Sequence, residues 1–220
     1  MIFFLDIGFN FAQDKDRTNI QSRFVIDKDP MNQIDDKRQA ILKTTLRLIA
    51  ENGFHGTAMS KVAKEAGVST GIIYHYFKGG KDELVLELYR FLKGKCVGFI
   101  LDELDISQPL SAQMKSICEA SFRYSLNHPM ETLYLQQFYT SPYHNAEIQE
   151  EIGQCYAPLK DIIERAREEM IIKDFPDAVI GSLISDVATS LAQKQAVGLI
   201  ELNEELVDSL IGAIWEAIRR

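Results

Sequence analysis

The stretch "SKVAKEAGVSTGIIYHYF", Ser60 to Phe77, decides the reading of this chain. It holds two short helical patterns separated by Gly67. The first runs from about Met59 to Ala66, with Val62, Ala63 and Ala66 on one side. Ser69 is a natural N-cap for the second, from Thr70 to about His75. Ala63 is small where two helices cross, Gly67 permits the turn, and Val68 plugs the space between them. A short helix, a glycine turn and a second short helix make a helix-turn-helix, in which the second helix lies in the DNA major groove with its N-terminal residues against base edges. Here those residues are Thr70 and Gly71, with Tyr74 one turn on. Gly71 is poor for helix stability but lets a backbone approach DNA. Tyr74, Tyr76 and His75 can bond phosphate or base atoms, and Lys78 and Lys81 follow at the next turn. Thr57, Ser60 and Ser69 are short hydroxyls near helix starts that can cap, bind phosphate, or do both.

Outward from this stretch the pattern stays helical. Ile41, Leu42, Thr45, Leu46, Leu48 and Ile49 form one face of a preceding helix, which Asn52-Gly53 stops. Gly79-Gly80 breaks the chain again, and a long helix follows from about Lys81 with Asp82 and Glu83 in its first turn. Pro109, Pro129, Pro142, Pro158 and Pro176 mark helix starts or interruptions among amphipathic stretches. No alternating, β-branched run is present. The expected fold is all-α. A helix-turn-helix unit at 35–80 is joined through a long helix to a helical regulatory domain at 81–220. Residues 1–34 form an extension.

Charge supports one site for a polyanion. The chain carries −8 overall, yet from Asp35 to Lys95 eleven Lys and Arg face seven Asp and Glu, while from Cys96 to Arg220 nine face twenty. A basic segment on an acidic body places a nucleic-acid footprint on one part alone. Cys96, Cys118 and Cys155 are scattered and odd in number, which fits buried thiols in a reducing cytoplasm. "MIFFLDIGFNF" at the start is apolar but holds Asp6, lacks a basic leading region and is too short to span a bilayer. It reads as an upstream extension, with Met31 as a candidate start, or as an arm docking through its Phe residues.

The string "AILKTTLRLIAENGFHGTAMSKVAKEAGVSTGIIYHYFKGGKDELV", Ala40 to Val85, resembles the DNA-binding domain of TetR-family transcriptional regulators. It has a first helix ending N-G-F, then G-T, then V-A-K-E-A-G-V-S, then the Y-H-Y-F-K exit. The likeness covers about a quarter of the chain, Lys37 to Leu92. By position it assigns DNA contact to Thr57, Met59 and Ser60, recognition to Thr70, Gly71, Ile72, Tyr74, His75 and Tyr76, and phosphate to Lys78 or Lys81. The family usually reads F-K-x-K-acidic-x-L. This chain has one extra residue in the Gly79-Gly80 pair, which leaves open whether Lys81 keeps the phosphate-binding place. Gly80-Lys81 is not a P-loop, because Asp82 follows the lysine and His75 stands where the first glycine is needed.

The resemblance implies a homodimer on a pseudo-palindromic operator, acting as a repressor released by a small, largely apolar effector. Two final helical patterns fit a four-helix dimer interface: Ile180, Leu183, Ile184, Val187 and Leu191, then Leu206, Leu210, Ile211, Ile214 and Ile218. Packing of these residues inside one subunit is the alternative. The middle helices hold candidate pocket residues: Phe99, Met114, Cys118, Phe122, Leu135, Phe138, Tyr139, Tyr156, Leu159 and Met170, with Gln136 and Gln137 as further polar groups. Plain core is the competing reading for each. "QQFYTSPYHNAE" fits an entry loop or a helix break. His55, His75, His128 and His144 lack metal-ligand spacing, no GxSxG elbow occurs, and Glu150-Glu151 and Glu168-Glu169 read as solvated faces. No cofactor or metal is expected. The competing functions are an architectural or division-linked DNA binder of the same fold and a small helical enzyme.

Overall fold

The computed structural model describes residues 32–220, so the readings made for residues 1–31 lie outside the described residues. The described residues fold into ten helices. They are α1 (Asn32–Gly56), α2 (Met59–Glu65), α3 (Thr70–Tyr76), α4 (Gly80–Asp102), α5 (Leu110–Asn127), α6 (Pro129–Tyr139), α7 (Ala146–Cys155), α8 (Ala157–Glu168), α9 (Asp177–Ala196) and α10 (Glu204–Ile218). Among the described residues no β-strand forms; a single antiparallel bridge, Ile172 to Arg219, ties the end of α10 to the loop after α8.

The breaks fall where the chemistry demands. Regular α1 ends at Gly53, whose φ of 70° is the left-handed conformation that glycine adopts without penalty. The free carbonyls beyond it are capped from the side: Thr57 Oγ1 donates to the Gly53 carbonyl at 3.0 Å and Lys81 Nζ to that of Phe54 at 2.5 Å. Pro109 and Pro176 sit at the N-caps of α5 and α9, and Pro129 and Pro158 lie in the first turns of α6 and α8, where a missing N–H costs nothing. Asn145 and Asn203 cap α7 and α10 by accepting from the N–H of Ile148 and Leu206.

Two apolar cores result, and α4 runs through both. Its first half, Leu84, Val85, Leu88, Tyr89 and Leu92, packs with α1–α3. Its second half, Val97, Ile100 and Leu101, packs with α5, α8, α9 and α10. The first core is not confined to the N-terminal helices. Tyr134, Leu135 and Phe138 of α6 and Ile148 and Ile152 of α7 join it. Phe54, just past the α1 turn, lies against Tyr134, Phe138 and Tyr143 with ring centroids 5.6, 6.4 and 5.5 Å away. Tyr89 stacks on Phe138 at 3.7 Å, and the buried Tyr134 hydroxyl donates to the Val85 carbonyl at 2.7 Å.

Charge pairs reinforce the same junction. Glu87 of α4 accepts from Arg38 of α1 at 2.7 Å and from Arg90 at 3.3 Å, and Arg90 grips Glu151 of α7 through two bonds of 2.6 and 2.9 Å. Glu151 is therefore not the solvated residue expected: the packing of α7 on α4 brings it onto a planar guanidinium, the geometry that favours a paired grip. Tyr134→Phe removes the buried bond to Val85 while keeping the ring. The expected cost is about 1 kcal/mol, read as a lower urea midpoint with an unchanged slope.

Candidate nucleic-acid interface

Met59–Glu65 and Thr70–Tyr76 form the two helices of a helix-turn-helix. Gly67 has φ 69°, and the Val68 N–H behind it bonds the Ala63 carbonyl at 3.0 Å, which closes the turn. Ser69 Oγ accepts from the Ile72 N–H at 3.3 Å as the N-cap of α3. Val62, Ala63, Ile73 and Phe77 are buried and lock the pair onto α1 and α4. Arg38 lies 5.7 Å over the Phe77 ring and so fixes the exit of α3 as well.

That packing sets which residues face outward. Thr70, Gly71, Tyr74, His75 and Lys78 are exposed and follow one another along one side of α3 and its exit. Ser60 and Ser69 are exposed beside them, and Met59 is half-buried. A Cβ on Gly71 would make only ordinary contact with Ser69 Oγ at 3.8 Å, so nothing inside the protein requires glycine there. Ile72 and Tyr76 are half-buried and also pack on the core. His75 meets the Tyr76 ring edge-on at 5.5 Å.

Two of the expected contact residues point elsewhere. Thr57 is 2% exposed, and its hydroxyl is spent on the end of α1. Lys81 is likewise drawn to the Phe54 carbonyl, which leaves Lys78 as the exposed lysine of the exit. The turn at the glycine pair has a defined geometry. The Gly80 N–H bonds the Phe77 carbonyl at 2.9 Å with φ 70° at Gly80, while the Gly79 N–H donates to the Glu83 carboxylate at 2.5 Å. This tight turn starts α4 at Gly80, with the Lys81 ammonium against the end of α1.

The pocket candidates divide between the two cores instead of gathering round one cavity. Met114, Cys118, Phe122 and Leu159 are buried in the C-terminal core; Leu135 and Phe138 belong to the core beneath the helix-turn-helix. Phe99 edges an open groove of about 250 Å³ with Glu103, Ser116, Glu119, Ala120, Arg123 and Asn127. Met170 is wrong as a pocket residue: it lies 63% exposed with φ 56° just past the end of α8. Tyr139 and Tyr156 do converge, on a residue that sequence reading passed over. Lys93 of α4 is 6% exposed, and its ammonium donates to Tyr139 Oη at 2.9 Å and Tyr156 Oη at 3.3 Å. Its position four residues from both Tyr89 and Val97, on the buried face of α4, was the available signal. Burial works against the ammonium, and the hydroxyls of Tyr139 and Tyr156 together with the ring faces of Tyr89, Tyr139 and Tyr156 oppose that loss. Burial also pushes the Tyr156 phenol up to about 12 and raises Tyr89, so both stay neutral at physiological pH.

The dimer candidates also sort by direction. Ile180, Ile184, Ile211, Ile214 and Ile218 are buried in the subunit's own core, because α9 and α10 lie against α5. Leu191 is half-buried against the same core. A second stripe is exposed, Val179 and Val187 on α9 and Leu206 on α10, and between these Leu183 and Leu210 are half-buried against the same core.

A helix-turn-helix on a helical body defines a DNA-binding transcriptional regulator. Residues 41–88 match the family model for bacterial regulatory proteins of the tetR family, and residues 109–219 match that for tetracyclin repressor-like C-terminal domains. The chain belongs to the TetR family. It is 27% identical over 194 residues to the fatty acid metabolism regulator protein of Bacillus subtilis (strain 168), a match spanning 84% of this chain and 98% of that protein. Among solved structures, a TetR family transcription regulator from Marinobacter aquaeolei VT8 superimposes with TM-score 0.80 at 25% identity, over 86% of this chain and 98% of that one. The TetR-family regulator HI0893 from Haemophilus influenzae Rd gives TM-score 0.71 at 25% identity, over 86% and 100%. The chain is thus a regulator and not an enzyme. Among the described residues no helix is long and apolar enough to cross a membrane.

The glycine turn gives a direct check on the interface. A Cβ at Gly80 meets Tyr74 Cε1 at 3.3 Å and is held in a left-handed backbone. Gly80→Ala is expected to lose about 1–2 kcal/mol of stability and to displace the exposed Tyr74. Thermal unfolding reads the first effect, and weakened DNA binding by the still-folded variant reads the second.

Proposed function

We propose that the protein is a homodimeric repressor, released from a pseudo-palindromic operator when a small, largely apolar ligand binds in its C-terminal body. The observation that carries this reading is the continuity of α4. One helix supplies the core under α2 and α3 and then the core of the regulatory body. A shift of its second half therefore tilts the recognition helix. In this division residues 35–80 read DNA and 81–220 regulate and dimerise, with α4 shared between them. Similarity to a fatty acid metabolism regulator favours a ligand carrying a hydrocarbon chain. The protein works in the cytoplasm, in keeping with three cysteines that form no disulfide.

Ser60, Ser69, Thr70, Gly71, Tyr74, His75 and Lys78 form the contact surface, with Met59, Ile72 and Tyr76 at its edge. Gly71 lets the α3 backbone approach base edges, and the Tyr74 hydroxyl and Lys78 ammonium take phosphates. A two-fold operator needs two recognition helices at fixed spacing. The exposed stripes of α9 and α10 supply the pairing surface, symmetric and self-complementary. The ligand releases DNA only to the extent that it prefers the conformation with mismatched spacing.

Two experiments test this reading. Fluorescence anisotropy on the protein's own upstream DNA, followed across a salt series, should show binding that weakens steeply with salt. Lys78→Ala should lower the logarithmic salt slope by about one, and Tyr74→Phe should weaken binding by roughly one kcal/mol. Unchanged affinity in both variants would remove these residues from the interface. Sedimentation velocity should show a dimer that Val187→Glu or Leu206→Glu converts to monomer, with DNA affinity falling in parallel.

A further inference from the structure

The geometry points to Lys93 as an anchor for the negatively charged head of the ligand, a small organic anion that takes the place of the Tyr139 hydroxyl. This rests on the ligand-responsive reading above and adds the chemistry of its site. Lys93 lies at the seam of the two cores. Leu92 before it belongs to the core under the helix-turn-helix and Val97 after it to the C-terminal core; Tyr156 packs on both.

Among the described residues no carboxylate lies within 4 Å of the Lys93 ammonium, although it is almost fully buried. Two acids on the surrounding helices are spent elsewhere. Glu131 of α6 is held by Lys95 at 2.6 Å and by the Tyr124 hydroxyl at 2.5 Å, and Glu151 of α7 by Arg90. Lys93 is left with two phenol oxygens and the faces of the Tyr89, Tyr139 and Tyr156 rings, 5.0–5.7 Å from its nitrogen. An ammonium has three N–H donors, and two are used here.

A buried cation without a counter-charge attracts an anion far more strongly than a phenol dipole, because the low-dielectric surroundings screen so little. The way in is also present. Tyr139 is half-exposed at the last turn of α6, beside the 140–145 loop, so the hydroxyl that holds Lys93 is carried by a ring that can swing outward. An anion seated there parts α6 from α4 at one point. The Tyr89–Phe138 stack lies one helical turn away, and Phe138 leads directly to Phe54 beneath α2. The same event that binds the anion thus loosens the support of the recognition helix.

The test is a thermal-shift titration of the full chain without DNA. The probes are sodium acetate, octanoate and dodecanoate, the matching alcohols, inorganic phosphate and dodecyl phosphate. A bound anion raises the melting temperature by mass action. The expected result is that a long-chain anion stabilises wild type more than its alcohol does. Lys93→Met, which removes a buried charge and keeps the chain length, should bind that anion at least about tenfold more weakly. Tyr139→Phe, a half-exposed position that tolerates the change, should bind it at least as tightly, because the competing hydroxyl is gone. Preference for dodecyl phosphate over dodecanoate, lost in Lys93→Met, supports the site with phosphate as the head group. Equal shifts from anions and alcohols, no shift from any anion, or an undiminished anion preference in Lys93→Met each overturn it. Operator binding is measured separately on wild type. Its failure removes the regulator reading and leaves the anion titration to be read on its own.

Discussion

Everything in this molecule depends on one helix serving two cores. A separate headpiece would close its own core within the first three helices, and α4 would be a tether. Here the first half of α4 is the floor on which α1 and α3 rest, and its second half is a wall of the C-terminal body. The aromatic cluster of Phe54, Tyr89, Tyr134 and Phe138 then rivets α1 and α6 to the same stretch of α4. Aromatic packing of this kind is directional as well as apolar. A displacement of α6 cannot be absorbed as a soft deformation, because close-packed interiors repack between discrete arrangements instead of stretching.

Local order was legible in the sequence because it is written locally. Gly53 and Gly67 stop helices where left-handed backbone is required, Ser69 caps α3, and four of the prolines open helices. The exposed stripe from Thr70 to Lys78 followed from the same spacing that buries Ile73 and Phe77. What the sequence hid is whatever depends on a distant partner. Thr57 and Lys81 have the chemistry of phosphate ligands, and only the folded end of α1 shows that their donors are already claimed. Ile184 and Val187 look alike in a periodic pattern, yet one is buried in the C-terminal core and the other is exposed. Met170 reads as apolar filler until the left-handed turn past α8 carries it into solvent.

The pocket residues show the same limit more sharply. A list of bulky side chains between helices selects for burial, and burial was correct for most of them. It could not separate Phe138, which stacks under the DNA-binding helices, from Phe122 in the opposite core. The residue with the most distinctive environment is a lysine, and a lysine is read by default as surface. Lys93 escapes that default because α4 is buried along much of its length, so a charged residue at the seam is almost wholly cut off from water.

That environment bears on how a switch can be built without much moving mass. Two kinds of charge arrangement cross the seam. Arg38, Glu87, Arg90 and Glu151 form an alternating chain from α1 to α7 in which each charge meets its opposite. Such a chain resists change, since parting any pair strands a partly buried charge. Lys93, one turn further along α4, is the unbalanced member: a cation satisfied by dipoles alone. The balanced chain sets the resting geometry of α1, α4 and α7. The unbalanced lysine marks the point where an incoming charge would gain most by altering it. A stiff frame with one electrostatically unsatisfied position is what a ligand needs in order to bind one conformation better than the other, and that difference in affinity is the whole of its power to move the equilibrium.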